Sequence, residues 1–432
     1  MRPAARAQAA IEILQDLDAR HRPAADAVKD WMLSHRFAGA RDRASIGDMV
    51  FGALRWRASS AWRMGALSPR ACLLGALRWG FSWDESAFLW DSVEHAPKAL
   101  SPEEWGHLNG QTPQSRLEGA PAWVQGDYPD WLATEWEAAF GADAIAEGAA
   151  LAVPAPLDLR VNTLKADRPS LLAALADSPR LAQPPGSTPF SPLGVRIPWQ
   201  EGRSFAWASE PAFLKGWFEV QDEASQLAAL WSGAKPGMQI GDVCAGGGGK
   251  TLALAAAMGN RGQLYAYDVD GARLAPLHAR LERAGVRNAQ IRHPTRRGGE
   301  LADLRGKLDL VLVDAPCTGS GVWRRNPDSK WRLRPGALDT RLREQQSALE
   351  LAAPLVKADG ALVYVTCSVL PLENEGAIAR FLQSHPGFMP EAIDFCDPAL
   401  ANLVQTRKLG VQLSPNRTGC DGFFVCKLRR TG

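Results

Sequence analysis

Two cysteines stand at equivalent points of two similar segments. Residues 308–313 form a short apolar run that ends in Asp314-Ala315-Pro316-Cys317, and residues 361–365 form another that ends in Thr366-Cys367. A thiolate is a strong nucleophile, and a nearby carboxylate can hold a polar ring or a developing charge. If both runs are strands of one parallel sheet, neighbouring strands lie about 4.8 Å apart. Two thiols and the carboxylate of Asp314 then meet at the carboxyl edge, where doubly wound sheets bind their ligands. A single cysteine is more often a small buried hydrophobe, but two at adjacent tips point to covalent chemistry.

A second chemical signal precedes them. The strand expected at residues 239–243 leads into Cys244-Ala245-Gly246-Gly247-Gly248-Gly249-Lys250-Thr251 and then into the helical run 252–258. Glycines between a strand and a helix let the backbone pass close to a ligand while helix N–H groups face it. A phosphate loop would need glycine where Cys244 stands. The dinucleotide fingerprint would need glycine where Thr251 stands. Asp268 ends the next strand, about 20 positions on, where an acid can accept hydrogen bonds from ribose hydroxyls. Loop and acid together favour an adenosine-bearing cofactor.

The elements that must carry these residues alternate. Strands are expected at 239–243, 263–267, 289–292, 308–313, 360–366 and 422–428, with helical runs between most of them. That alternation is the pattern of a doubly wound α/β domain. Its fourth strand lies beside its first, and its fifth beside its fourth. Before it, residues 160–220 read as a small α/β module, and residues 4–79 read as helices with apolar residues such as Ile11, Leu14 and Leu17 at helical spacing. Three domains are expected: a helical one over 1–125, linker helices and the small module over 126–220, and the doubly wound domain over 221–432.

Composition narrows the class. The 432 residues are 46% hydrophobic and 22% charged, the profile of a soluble globular protein. No apolar run approaches the roughly 20 residues of a membrane span, and the expected location is the cytoplasm. Seven scattered cysteines without a Cys-x-x-Cys pair, and seven dispersed histidines, suggest reduced thiols and no metal site. Net charge is only +2, yet residues 1–80 carry 13 Arg plus Lys against 7 Asp plus Glu, while residues 81–157 carry 2 against 13. A second basic cluster comprises Arg324, Arg325, Lys330, Arg332, Arg334, Arg341 and Arg343. This asymmetry suits a polyanionic partner.

The motifs resemble the Sun-type family of RNA cytosine carbon-5 methyltransferases. The matching pieces are Val220-Gln221-Asp222-Glu223-Ala224-Ser225, the glycine loop, Asp314-Ala315-Pro316-Cys317-Thr318-Gly319-Ser320-Gly321, Arg324 to Trp331, Thr366-Cys367-Ser368 and Asp421-Gly422-Phe423-Phe424. Leu159-Arg160-Val161-Asn162-Thr163 looks like the start of the family's small RNA-binding module, and residues 4–57 look like the NusB-type helical domain of its bacterial small-subunit rRNA members.

The resemblance implies a Rossmann-like methyltransferase domain, S-adenosyl-L-methionine as cofactor and RNA, 16S rRNA first, as substrate. It implies that Cys367 attacks carbon-6 of the cytosine, that Asp314 contacts ring nitrogen-3 and the exocyclic amine, and that Cys317 assists release. DNA cytosine methyltransferases attack with a cysteine in the Pro-Cys position, so the residues alone do not choose between the two thiols. Cys244, Ala245, Gly246, Gly247, Gly248, Gly249, Lys250, Asp268, Thr295 and Asp314 are the expected cofactor contacts. Arg325 and Lys330 are the expected RNA contacts. A monomer acting on single-stranded or loop RNA is expected, because the target base must leave its stack to reach a thiol.

Three features depart from the family pattern. Gly246 and Gly247 replace a small residue and a proline, Thr295 stands where an aspartate is usual, and residues 80–125 are acidic with little of the NusB-type pattern. The alternative function is a non-catalytic RNA-binding or ribosome-assembly protein on a methyltransferase fold.

Overall fold

The computed structural model describes the chain apart from Leu89, residues 91–93, Pro113, residues 296–297 and Cys396, and apart from the side chains of Glu85 and Gln114. Cys396, one of the seven cysteines, therefore lies outside the described residues. Packing divides the chain into two units, Met1–Val153 with Trp323–Pro335, and Pro154–Val322 with Gly336–Gly432.

The first unit is helical. Its longest helix, Pro3–Arg20, buries Ala7, Ile11, Leu14 and Leu17 along one face, the spacing at which side chains stack on one side of a helix. The sequence reading ends the helical domain at residue 125, but packing carries it to Val153. Trp136 is the reason: this fully buried ring stacks on Tyr128 at 4.9 Å and on Trp323 at 5.1 Å with the planes 4° apart. An indole buries a large apolar area, so two tryptophans far apart in sequence fix both the helices around 136 and the segment beginning at 323 in one core.

The second unit holds two sheets. In the smaller, Leu157–Val161 (β1), Gly186–Ser187 (β2), Gly194–Ile197 (β3) and Phe218–Val220 (β4) run in the order β2-β3-β1-β4, all antiparallel. The sequence reading separates this module from the larger domain at residue 220, whereas here both belong to one unit. Hydrogen bonds explain it. Asn162 Nδ2 donates to the carbonyls of Gly216 and Ala284 at 2.8 Å, and the buried Arg160 donates to Gln221 and to the Gly249 carbonyl.

The larger sheet contains Gln239–Asp242 (β5), Gln263–Tyr267 (β6), Ala289–Arg292 (β7), Leu308–Asp314 (β8), Val356–Thr366 (β9), Phe388–Glu391 (β10), Gln405–Arg407 (β11), Gly410–Leu413 (β12) and Phe423–Arg430 (β13). The order is β11-β12-β13-β9-β8-β5-β6-β7, with β10 also paired to β13. Strands β5 to β9 are mutually parallel, and β13, β12, β11 and β10 add antiparallel pairs. The doubly wound fold and the placing of β8 between β5 and β9 are as the sequence predicts. The short strands β10 to β12 were not foreseen, because they are brief and lack strong alternation. Val311, Leu312, Val313, Leu362, Val363, Tyr364 and Val365 are all fully buried, as expected for central parallel strands covered on both faces.

Candidate active site

Register sets the site. Asp314 pairs with Val365 across β8 and β9, and the Ala315 N–H continues the ladder to the Val365 carbonyl at 2.9 Å. Both chains then turn out of the sheet, and Cys317 Sγ comes to 3.4 Å from Cys367 Sγ. Both are free thiols and only half-buried. The Cys367 thiol beside it, together with burial, pushes the Cys317 thiol well above its usual pKa. At 3.4 Å either thiol can donate a hydrogen bond to the other.

Asp314 lies at the same edge with a third of its side chain exposed, and Lys250 Nζ sits 2.7 Å from its Oδ2. The lysine is only 7% exposed and lies 5.1 Å from the centre of the Phe423 ring. A charge-assisted hydrogen bond of this length orients the carboxylate.

Glu373 belongs to none of the motifs quoted from the sequence. It is fully buried, and four donors converge on its carboxylate: the Thr318 N–H at 2.8 Å, the Thr318 hydroxyl, the Ser368 hydroxyl and Gln345 Nε2 at 3.0 Å. Burial is the largest influence and raises its pKa, while the hydrogen bonds oppose it. Thr318 follows Cys317, and Ser368 follows Cys367. Glu373 therefore ties the two thiol-bearing loops together through the residue after each thiol. Gln345 extends the tie to the Pro316 carbonyl, and Ser320 bonds both Ser368 and the Val369 N–H. The only signal in sequence was an acid in Pro371-Leu372-Glu373-Asn374, six residues after Cys367.

Gly321 explains two of the quoted motifs at once. Its N–H donates to the Cys367 carbonyl at 3.0 Å, and its carbonyl accepts from the Gly422 N–H at 2.8 Å. A Cβ on Gly321 would lie 2.0 Å from the Gly422 oxygen, so this crossing of backbones admits no side chain.

The glycine loop leaves β5 and turns into the helix Gly249–Ala257. Gly248 has φ +87° and caps that helix, a backbone state that side chains disfavour. Cys244 and Ala245 lead into the loop, and burial raises the pKa of the Cys244 thiol, keeping it protonated. Gly246, also at positive φ, donates its N–H to Asp268 Oδ2 at 2.9 Å. Arg280 holds the Gly247 carbonyl. Asp268 is almost wholly buried, and it also receives the Asp270 N–H and Arg273 Nη1. In this structure the Asp268 carboxylate holds the loop through Oδ2, while its Oδ1 receives the Asp270 N–H. Thr295 lies past β7, exposed, with its N–H and hydroxyl bonded to Glu300.

The row from the glycine loop through Asp268 to Asp314 follows the tips of β5, β6 and β8. Its freed loop backbone, helix N-terminus and carboxylates fit a nucleoside-bearing cofactor. The positive φ values of Gly246 and Gly248 keep the backbone open where side chains would crowd the cradle.

The expected RNA contacts differ from each other. Arg325 is half-buried in the helical unit. Lys330 is not available to a phosphate: it is 1% exposed, and its ammonium donates to the Arg55 and Asp127 carbonyls at 2.8 and 2.7 Å. Burial pushes its pKa down to about 7. A basic residue in a motif rich in arginine looked like surface charge, but Trp331, which bonds the Leu54 carbonyl, and Asp328, which accepts from the Ala24 N–H, draw the segment inward.

The family model for the 16S rRNA methyltransferase RsmB/F matches residues 230–429, and that for the RsmF/B-like ferredoxin-like domain matches residues 128–198. A Synechocystis protein named "Probable ribosomal RNA small subunit methyltransferase B" is 36% identical over 313 residues, covering 71% of this chain and 67% of its own. The ribosomal RNA small subunit methyltransferase B of Sodalis glossinidius is 32% identical, with 90% of each chain covered. The crystal structure of a methyltransferase homolog from Pyrococcus horikoshii superposes with a TM-score of 0.58 at 28% identity, covering 72% of this chain and 97% of the other.

Proposed function

Because the chain belongs to the RsmB/F family of 16S rRNA methyltransferases, we propose that it methylates carbon-5 of a cytosine in small-subunit rRNA, with Cys367 as nucleophile. The observation that carries this reading is the 3.4 Å thiol pair beside the Asp314–Lys250 ion pair. S-adenosylmethionine supplies the methyl group as an electrophile when bound, and Cys244 to Lys250, Asp268, Thr295 and Asp314 are the residues proposed to hold it.

The residues of the chain divide the work. Carbon-5 of cytosine is a weak nucleophile until a thiolate adds to carbon-6. Cys367 forms that bond, while Asp314, oriented by Lys250, accepts hydrogen bonds from the exocyclic amine and from ring nitrogen-3 once that nitrogen is protonated as charge develops. After methylation the carbon-5 proton leaves to a base, its electron pair restores the 5,6 double bond, and the carbon–sulfur bond breaks. The departing Cys367 thiolate is stabilised by the Cys317 S–H. The 3.4 Å separation supports the proposal, since a thiol S–H at that distance can donate a hydrogen bond to the departing sulfur. A target base taken out of its stack, in single-stranded or loop RNA, and a monomeric cytoplasmic enzyme complete the proposal. Among the described residues no helix is long and apolar enough to cross a membrane.

Bisulfite sequencing of small-subunit rRNA from cells with and without the gene tests the proposal. One cytosine losing its protection on deletion, and regaining it with the wild-type gene but not with Cys367→Ala, is expected. An unchanged rRNA profile would overturn it.

A further inference from the structure

Thr295 stands where the family pattern has an aspartate, yet a carboxylate is present at that place. Glu300 accepts from the Thr295 N–H at 2.6 Å, and the Thr295 hydroxyl donates to the same Oε1. An aspartate at 295 would hold its own carboxylate close to that N–H, so Glu300 returns an acid to the position from further along the loop. The bond from the Thr295 hydroxyl keeps the Glu300 carboxyl below its usual pKa, which makes it a charged acceptor at neutral pH. No other side chain among the described residues bonds Glu300, and Oε2 is left to a ligand.

The loop that carries this acid is folded against the cofactor edge. A Cβ on Gly271 would lie 3.2 Å from Pro294, and the His293 ring stacks on His278 with the centres 5.8 Å apart. The loop after β7 therefore packs on the segment that follows β6. Burial, and after it the Glu300 charge, raises the pKa of the Tyr267 phenol, which puts that charge near the last residue of β6. Val269, next to Asp268, is 73% exposed, an apolar side chain at a polar edge and a support for a flat ring.

Strand order fixes which part of the cofactor meets Glu300. The sequence β9-β8-β5-β6-β7 puts the thiols at one end and β7 at the other. The methyl donor must point toward β8 and β9, and a ribose held by Asp268 sits at β6, so the base falls on the β7 side. Adenine carries an amine donor at its 6-position, whereas the 6-oxopurines carry an acceptor there. A carboxylate accepts from the first and repels the second. We infer that Glu300, positioned by Thr295, accepts a hydrogen bond from the exocyclic amine of the cofactor's adenine and selects adenosine over 6-oxopurine nucleosides. The inference rests on the S-adenosylmethionine reading above and names the residue that reads its base.

Calorimetric titration of the full chain with S-adenosylhomocysteine and with S-inosylhomocysteine, its 6-oxo counterpart, tests the assignment without turnover. The wild type should prefer the adenosine compound by about tenfold or more, the scale of one hydrogen bond to a charged group. Glu300→Gln, whose amide can turn an N–H toward a 6-oxo group, should weaken S-adenosylhomocysteine about tenfold and remove most of the preference. Thr295→Val, which deletes the hydroxyl that places the carboxylate, should weaken it several-fold. Adding Thr295→Asp to Glu300→Gln should restore the preference, a rescue that a purely structural role for Glu300 would not allow. Melting temperatures confirm that each variant is folded. Glu300→Gln binding both compounds within about twofold of wild type would overturn the assignment while leaving the proposed methylation intact. A wild type that binds neither compound would remove the S-adenosyl cofactor and this inference with it. A wild type that shows the preference but methylates no rRNA would remove the proposed reaction and keep the role of Glu300.

Discussion

Lys250 and Lys330 both come from motifs read as functional, both are nearly buried, and the two regions that hold them use the charge in opposite ways. At the sheet edge Lys250 meets a carboxylate at 2.7 Å, and that carboxylate, on Asp314, is one-third exposed. In the helical unit Lys330 meets two backbone carbonyls, and burial brings its pKa down to about 7. The first arrangement turns a reactive group toward the site, while the second staples three pieces of chain. A cation in a motif is thus assigned by what it touches, and exposure of its partner separates chemistry from architecture.

The contrast can be broken by substitution. The largest effect is expected at the edge itself, where Cys367→Ala should bring methyl transfer down to background, read as tritium incorporated from labelled S-adenosylmethionine. Lys250→Met should lower the rate by about 10²–10³, the scale of losing one group that stabilises developing charge, with the melting temperature close to wild type. If Lys250→Met kept full activity, Asp314 would not need its partner. Glu373→Gln removes the charge on which both thiol loops converge and should cut the rate about tenfold, with a shifted pH profile for adduct formation. Rate and profile unchanged from wild type would reduce Glu373 to packing.

Lys330→Met should act on stability instead. Two carbonyls lose their donor, a cost of about 1–3 kcal/mol, read by denaturant titration, while the rate per folded molecule stays near wild type. The pH dependence sharpens this. The folded pKa of about 7 lies below the ordinary lysine value of 10.5, so the unfolded chain binds more protons between those values and the contribution of Lys330 to stability rises with pH across that window. The deficit of Lys330→Met should therefore be smallest near pH 7 and larger at pH 9. A deficit that shrinks over that interval would contradict a depressed pKa.

Much of this was legible in the sequence because local pattern and chemistry coincide there. The bounds of β6 and β7 follow from alternating or branched runs, and the meeting of Cys317 with Cys367 follows from equal placement at the ends of two adjacent parallel strands. What escaped depends on partners remote in sequence. Glu373 looks like any loop acid until Thr318 and Ser368 are seen to converge on it. Lys330 looks like surface charge until Trp323 is stacked on Trp136 and the following segment is carried into the helical core. Asp268 was read as a ribose acceptor from its place at a strand end, and its Oδ2 also receives the Gly246 N–H and Arg273, a second role that only the folded loop reveals.

The central claim is the division of labour between two thiols 3.4 Å apart. Denaturing gel electrophoresis of each cysteine variant, incubated with small-subunit rRNA and S-adenosylmethionine, tests it most directly. Cys317→Ala should accumulate a covalent protein–RNA band, because attack and methylation proceed while release is slowed, and Cys367→Ala should give no such band. A covalent band from Cys367→Ala that disappears in Cys317→Ala would contradict the account and exchange the two roles.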